Sequence, residues 1–205
     1  ARQAGCKMQW GSASGGWVVA HDSGFQTSAE GIFVAGEPTG VAGAERSWAE
    51  GRMAGLHIAA SLGAPLPPAW QKEAQNTLAR AHRFSRVMQS MFEPKRKALA
   101  ELSRSQEVIV CRCELVRNGQ LETVLARNPF MSQANAVKLE CRSGMGPCQG
   151  RYCEGTVAAR IAMTRNAAIE DAGFFNANFP IKPVPLQSFQ DLGDATTALQ
   201  LPPPP

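Results

Sequence analysis

The chain has 205 residues, of which 44% are hydrophobic and 19% are charged, and its formal net charge is +4. This length allows one medium domain or two small ones, and the apolar fraction is sufficient for a buried core. The charge excess is small and no run of Lys or Arg is present, which argues against a nucleic-acid-binding protein, and no apolar run approaches the roughly 20 residues of a membrane-spanning helix.

The first 66 residues predict a hairpin followed by a strand, a turn and a helix. Two short apolar segments, 6–10 and 17–19, flank a Gly/Ser turn and predict a β-hairpin. The continuous apolar run 32–35 predicts a buried strand that Gly36 ends. Apolar residues then recur at helical spacing until Gly63, which predicts the end of a helix. The N-terminus of such a helix carries partial positive charge and free N–H groups that can meet an anionic ligand.

Residues 67–104 are interpreted as a linker. Pro65, Pro67 and Pro68 interrupt the chain, and residues 70–92 then carry apolar side chains at helical spacing. The apolar face of this long helix is expected to include Leu78, Ala81, Phe84 or Ser85, Met88 and Met91. At the other end of the chain, residues 173–205 are rich in proline and predict an extended tail.

Five of the six cysteines lie between residues 111 and 153, and four of them follow the pattern C-x-C-x34-C-x4-C. These four are Cys111, Cys113, Cys148 and Cys153. Thiolates suit zinc and iron–sulfur clusters, and four thiolates complete either kind of site. Glycines 144, 146 and 150 surround Cys148, where the backbone must approach sulfur closely.

Other interpretations of the cysteines are less favoured. Disulfides are disfavoured because no secretory signal is visible and two cysteines one residue apart bridge poorly. A structural zinc site is disfavoured because C-x-C is an unusual zinc spacing. A buried free thiol fits Cys6. Cysteines that serve as metal ligands indicate a reducing compartment, so we expect a cytoplasmic protein.

Residues 105–172 predict a small helical domain around the cysteines. A short strand at 108–110 leads to Cys111, and helices are expected over 114–128 and 135–144. A third helix is expected to start at Cys153, where the helix dipole would stabilise a thiolate. A bound metal centre would help so small a domain to stay folded.

The segments CRCE, NAVK and GMGPCQGRYC resemble the bacterioferritin-associated-ferredoxin-like [2Fe-2S] domain, in the version carried by flavoprotein subunits of multi-subunit dehydrogenases. Those subunits include opine oxidases, hydrogen cyanide synthase and relatives that act on proline or hydroxyproline. The resemblance implies a [2Fe-2S] cluster held by Cys111, Cys113, Cys148 and Cys153. Cys141 stands where the family commonly has a hydroxyl residue, which implies a neighbour of the cluster rather than a ligand.

The segment TSAEGIFVAGEPTGVAGAERSWAEGRMAG resembles the second FAD-binding motif of the two-dinucleotide-binding-domain flavoproteins. The resemblance implies that Gly36 and Glu37 lie at the ribityl or phosphate region of FAD and that Gly43 and Ala44 face the flavin. The wider family prefers Asp where this chain has Glu37. The first FAD motif, G-x-G-x-x-G, is absent from the 205 residues, so another polypeptide or the rest of a longer chain is expected to complete the site.

The predicted fold class is α+β: the end of a two-dinucleotide-binding-domain FAD fold (1–66), a linker helix (67–104), a [2Fe-2S] domain (105–172) and a tail (173–205). The resemblance implies an electron-transferring FAD/[2Fe-2S] subunit of a heteromeric amino-acid or opine dehydrogenase. The resemblance also implies a partner subunit with its own flavin that oxidises the C–N bond of the substrate, and no paired acid/base residues are evident in this chain. Two alternatives stay open, a non-enzymatic iron–sulfur assembly or sensor module and a zinc-stabilised interaction domain.

Overall fold

The computed structural model describes residues 1–11, 13–176, 180 and 184–190. The strands are β1 (Met8–Gly11), β2 (Gly16–Val19), β3 (Ile109–Cys111) and β4 (Val116–Arg117). The helices are α1 (Ala44–Ser61), α2 (Pro68–Phe92), α3 (Arg96–Leu102), α4 (Asn118–Arg127), α5 (Ala134–Cys141) and α6 (Glu154–Arg165). No helix in the described part of the chain is long and apolar enough to cross a membrane.

The predicted N-terminal hairpin is confirmed. Strands β1 and β2 pair antiparallel, with Met8 opposite Val19 and Trp10 opposite Trp17. The two indole rings pack edge to face with their centroids 5.6 Å apart, an arrangement that aromatic pairs favour. The hairpin therefore presents an aromatic surface toward the rest of the chain.

The predicted strand over 32–35 is wrong. Among the described residues this segment makes one isolated bridge, between Gln26 and Phe33, and no ladder. Val34 is nonetheless buried in a small core with Cys6 and Val19. The apolar run thus correctly indicated burial, but a strand also needs neighbouring strands to pair with, and the described residues supply none here.

Helices α1 and α2 pack against each other, so α2 does more than link two domains. Their shared core contains Phe25, Met53, Ala54 and Ala74. Phe84 and Ser85 were the two alternatives predicted for the packed face of α2. Ser85 is the buried one, and Phe84 is 60% exposed. The small residues on α2 allow α1 to approach closely, which brings polar side chains of both helices together.

The cysteine-rich domain begins with the small hairpin β3–β4, in which Cys111 is opposite Val116. The helix predicted over 114–128 is therefore wrong at its start: Leu115 adopts a left-handed φ of 53° and α4 begins at Asn118. The predicted helix over 135–144 is α5, which ends three residues earlier, at Cys141. The third helix begins where it was predicted, with Cys153 as the N-cap of α6.

Helix α6 lies at the centre of this domain, and its residues Val157, Ala158 and Ile161 are at most 1% exposed. The core also includes residues of the hairpin, of α4, of α5 and of the segment that follows α6. Phe175, which falls within the expected C-terminal tail, is buried in this core. Most of the predicted proline-rich tail (177–179, 181–183 and 191–205) lies outside the described residues.

Side chains connect the N-terminal hairpin unit to the cysteine-rich domain. Arg2 donates two hydrogen bonds to the carboxylate of Glu154, at 2.6 and 2.8 Å, and one to the carbonyl of Phe175 at 3.2 Å. Its guanidinium lies 4.5 Å from the ring centroid of Phe174, and that ring packs edge to face against Trp17. The two predicted domains are therefore in direct contact.

Candidate metal and flavin sites

Four cysteines that are distant in sequence meet at one end of the cysteine-rich domain. Strand β3 delivers Cys111, and the chain passes through Cys113 before it turns back into β4. The loop between α5 and α6 supplies Cys148 and then Cys153. Cys111 and Cys153 are each 1% exposed, Cys148 is partly buried and Cys113 is exposed. The group thus spans from the core to the surface.

The buried pair consists of Cys111 and Cys153, whose thiols are hydrogen-bonded. Burial, followed by the proximity of Cys111, raises the pKa of Cys153 far above its ordinary value. Cys148 also acts electrostatically on Cys153. A cation at this position would offset the cost of a buried thiolate, since a coordinated thiol is deprotonated by the metal.

The outer pair consists of Cys113 and Cys148, whose thiols are also hydrogen-bonded. Burial acts to raise the pKa of Cys148, but hydrogen bonds from Cys113 and from the backbone N–H groups of residues 150–152 outweigh it and lower the pKa. The backbone N–H of Cys148 acts to lower the pKa of Cys113. The thiol of Cys148 and the burial of Cys113 act in the opposite direction, and the pKa of Cys113 is raised overall. The loop therefore forms a concave set of N–H donors around one sulfur, as anion-binding backbone segments do.

The close approach of the two segments depends on Gly146. A Cβ atom at this position would lie 2.2 Å from the Cβ of Cys113, so no larger residue fits without moving the backbone. Beneath the same loop, the buried ring of Phe175 packs against Gly144 and Gly150. These contacts explain why glycines surround Cys148 in the sequence.

Cys141 and Cys6 have other partners. The Cys141 sulfur lies 3.2 Å from the carbonyl oxygen of Val137 and 3.2 Å from the hydroxyl of Ser143, which is fully buried. Cys6 is buried and lies 3.4 Å from the hydroxyl of Thr27. Neither contact involves the four grouped thiols.

Within the described residues, no three or more His, Cys, Asp or Glu side chains are arranged to hold a single metal ion. A mononuclear site needs all its ligands within about 2.0–2.3 Å of one ion, whereas a dinuclear cluster requires two thiolates on each iron.

The Gly-Glu turn predicted to meet FAD is held by Glu50, a residue outside the set predicted from the sequence. Glu50, in the middle of α1, is 1% exposed, and its Oε2 accepts a hydrogen bond from the N–H of Gly36 at 2.8 Å. The same oxygen lies 2.7 Å from the hydroxyl of Thr39, and Oε1 accepts from Nε of Arg46 at 2.5 Å. In the sequence Glu50 is only an acid four residues after an Arg on a predicted helix, which does not indicate this role.

This network fixes the turn but also occupies part of it. Gly36 has a left-handed φ of 80°, which favours glycine, and its N–H is donated to Glu50 and is not free for a ligand. Burial acts to raise the pKa of Glu50, but the hydrogen bonds from Thr39, Arg46 and Gly36 outweigh it and lower the pKa. Glu50 is therefore ionised at neutral pH.

The residues predicted to contact FAD do not share one cavity, and Gly36 is buried. Glu37 is exposed and lines a cavity of about 550 Å³ together with Trp17, Gly150 and Glu154. Gly43 is the N-cap of α1, and Ala44 lines a different cavity with Trp48. The first cavity lies between the hairpin unit and the loop that carries Cys148 and Cys153, so it joins the predicted flavin turn to the cysteine site.

Comparison with solved structures defines the class of fold. The chain matches an L-proline dehydrogenase from P. horikoshii with a TM-score of 0.68 and 20% sequence identity, over 90% of this chain and 35% of that protein. The described residues therefore have the mixed helix-and-strand fold of part of a proline dehydrogenase. No protein-family model matches the chain.

Two curated relatives are similar over nearly the whole chain. The A subunit of an opine oxidase from Rhizobium meliloti (strain 1021) is 34% identical over 192 residues, which are 93% of this chain and 41% of the relative. The HcnB subunit of hydrogen cyanide synthase from Pseudomonas aeruginosa is 30% identical over 189 residues, which are 91% of this chain and 40% of the relative. The chain thus spans about two fifths of the length of these relatives.

Proposed function

We propose that this chain is the electron-relaying part of a flavin-linked oxidoreductase that acts on the CH–NH bond of an amino acid or opine. The observation that carries the proposal is the meeting of four cysteines in two thiol pairs beside a cavity that also contains Glu37. The similar proteins are named as subunits of opine oxidase and of hydrogen cyanide synthase. Their names support a heteromeric enzyme in which a partner subunit carries the substrate chemistry.

The thiols of Cys111, Cys113, Cys148 and Cys153 would hold a [2Fe-2S] cluster. When bound, such a cluster supplies transfer of one electron at a time. The protein contributes the environment: Cys111 and Cys153 are excluded from water, and the N–H groups of residues 150–152 point at the Cys148 sulfur. Hydrogen bonds to sulfur and solvent exposure are the features by which a protein sets the potential of a cluster.

The four cysteines differ in their exposure to solvent. The buried pair adjoins α6, whose first residue, Glu154, lines the cavity that contains Glu37. The opposite edge of the group is the exposed Cys113. Cys111 and Cys153 would therefore hold a cluster on its buried side, and Cys113 would hold it at the protein surface.

The first experiment determines the metal. Protein purified without air should contain about two irons and two sulfides per chain, and reduction should produce a paramagnetic cluster signal. Serine at Cys111, Cys113, Cys148 or Cys153 should abolish the visible spectrum of the cluster. Cys141→Ser is the matched control and should retain it. Stoichiometric zinc without iron would refute the cluster and favour the zinc-stabilised interaction domain.

The second experiment tests the flavin. Glu37 has no ion-pair partner among the described residues and is available to a ribityl hydroxyl. The 205 residues lack a glycine-rich phosphate loop, so FAD titrated into this chain alone should bind weakly. In a chain extended to the length of the relatives, Glu37→Ala should weaken FAD about ten- to a hundredfold, the effect of one charge-assisted hydrogen bond. An extended, cluster-loaded protein that never binds flavin would instead favour an iron–sulfur assembly or sensor module.

A further inference from the structure

A second polar cavity lies between α1 and α2. Its volume is about 480 Å³. Its lining consists of Arg46, Ala79, His82, Arg83 and Arg86. Four of these five residues are basic, and nothing in the proposed electron relay uses them.

The positive charge of this cavity is not neutralised within the described residues. Arg46 is bound through Nε to the buried Glu50, which leaves its outer nitrogens toward the cavity with only a 3.5 Å contact to Thr39. Arg83 and Arg86 have no acidic partner in the described ranges. The cavity therefore has three guanidinium groups, those of Arg46, Arg83 and Arg86, and one nearby carboxylate, that of Glu50. This carboxylate already accepts hydrogen bonds from Gly36, Thr39 and Arg46.

His82 adds a buried polar atom without a partner. The His82 side chain is 43% exposed, but its Nε2 atom is buried and makes no hydrogen bond within the part of the chain that the structure describes. The nearest acid, Oε1 of Glu50, is 3.6 Å away, which is too long for a hydrogen bond. Burial, and then the positive charge of Arg46, lowers the pKa of His82, so the ring is neutral at neutral pH. A neutral imidazole can donate one hydrogen bond to an anion without adding charge.

We propose that Arg46, His82, Arg83 and Arg86 form a binding site for a phosphate-bearing ligand. Arginine binds phosphate through its planar fork of N–H donors, and a buried polar atom without a partner is usually satisfied by a ligand or water. A metal cation is excluded because three permanent positive charges surround the cavity. The volume is in the range of small-molecule sites and exceeds the needs of one inorganic phosphate, so the occupant is a phosphorylated small molecule.

The position of the site connects it to the predicted flavin turn. Arg46 contributes to the cavity with its outer nitrogens and to the turn through its bond to Glu50, which holds Gly36. An anion bound to Arg46 would therefore contact the same network that fixes the turn. The site does not depend on the cysteine cluster, so it can be tested without iron.

The test is calorimetric titration of the intact chain at constant ionic strength with inorganic phosphate, adenosine monophosphate and succinate. Saturable binding of the two phosphate compounds is expected. The double substitution Arg83→Gln/Arg86→Gln should weaken it at least about tenfold, since each lost charge-assisted bond is worth about that factor. Tighter binding of the nucleotide would identify a nucleotide occupant, and equal binding would show that the phosphate group alone is recognised; both support the site.

Arg80→Gln is the matched control, because Arg80 is an exposed arginine on the same helix and does not line this cavity. It should bind phosphate like the unsubstituted chain. Equal weakening by Arg80→Gln would mean that only the general charge of α2 attracts the anion, and the proposal would be overturned. Absence of saturable binding, or succinate binding as tightly as phosphate, would overturn it as well. Circular dichroism of each variant checks that the helices remain folded.

Discussion

Replacement of Glu50 by Gln is the substitution that most directly tests how the α1 helix holds the Gly-Glu turn. The side chain is 1% exposed, and its two oxygens contact Gly36, Thr39 and Arg46 within 2.8 Å. Glutamine has nearly the same shape, so the substitution removes the charge and one acceptor without opening a cavity. The variant should fold, but the part of the chain that contains the Gly-Glu turn and α1 should be less stable.

The magnitude follows from the number and kind of interactions that are lost. A hydrogen bond to a charged group contributes about 1.5–3 kcal/mol, and breaking one partner of a buried ion pair costs about 3–5 kcal/mol. The substituted glutamine would still accept from the N–H of Gly36 but would place an amide N–H₂ against Arg46 or Thr39. We therefore expect Glu50→Gln to lower the free energy of unfolding by about 2–3 kcal/mol, and Glu50→Ala by about 3–5 kcal/mol.

The assay is denaturant unfolding followed by far-UV circular dichroism, with Glu45→Gln as the control. Glu45 is on the same helix but exposed, so its loss should cost about 0.5 kcal/mol or less. The folded-state pKa of Glu50 is lowered, so its stabilisation is complete above the ordinary value of 4.5 and is lost as the pH falls through the folded pKa. The stability difference between the original chain and Glu50→Gln should therefore be full at pH 7 and shrink below about pH 4.5. Equal stability of the original chain and Glu50→Gln at pH 7 would refute this account of the turn.

Two further predictions concern the contact between the units and the cysteine loop. In a double-mutant cycle, Arg2→Ala and Glu154→Gln should show a coupling of about 1–2 kcal/mol in unfolding free energy, because the pair is bidentate and mostly buried; additive effects would contradict it. Gly146→Ala should prevent iron incorporation, since its Cβ would lie 2.2 Å from that of Cys113. The control is Gly51→Ala, at an open helical position, which should leave iron content unchanged and gain about 0.5–1 kcal/mol in stability. Normal iron content in Gly146→Ala would contradict the close packing of Gly146 against Cys113.

Sequence patterns correctly predicted the elements that are stabilised by contacts between residues close in the sequence. The hairpin of β1 and β2, the long helix α2 and the start of α6 at Cys153 all follow from period, turn residues and capping position. The sequence pattern predicted the wrong element where pairing with residues distant in the sequence determines the conformation. Residues 32–35 have the composition of a strand, but no neighbouring strand is present among the described residues to pair with them. Residues 114–117 look helical, yet Val116 pairs with Cys111 and delays the helix.

The cysteine site was predictable to a greater extent than the flavin turn. The pattern of four cysteines with nearby glycines predicted that these residues lie together, and the structure brings them close; the metal that they bind stays a prediction. Glu50 could not be recognised as the residue that holds the turn, because nothing in the sequence distinguishes it from Glu45, the other acid on α1. Its importance comes from burial against Gly36, a contact across 14 positions that periodicity does not encode.

The contact between the hairpin unit and α6 connects the two predicted cofactor sites physically. Glu154 follows Cys153 directly, accepts two hydrogen bonds from Arg2, and receives the N–H of Phe175 at 2.8 Å. Trp17 of the hairpin packs against the ring of Phe174 next to it. Because a bidentate ion pair and an aromatic pair both restrain the orientation of the units, the separation between Glu37 and the buried thiols is set by side chains and not by the linker helix alone. If this chain relays electrons as proposed, loss of the Arg2 contact should slow transfer between the two cofactors even where both remain bound, because electron transfer depends steeply on distance.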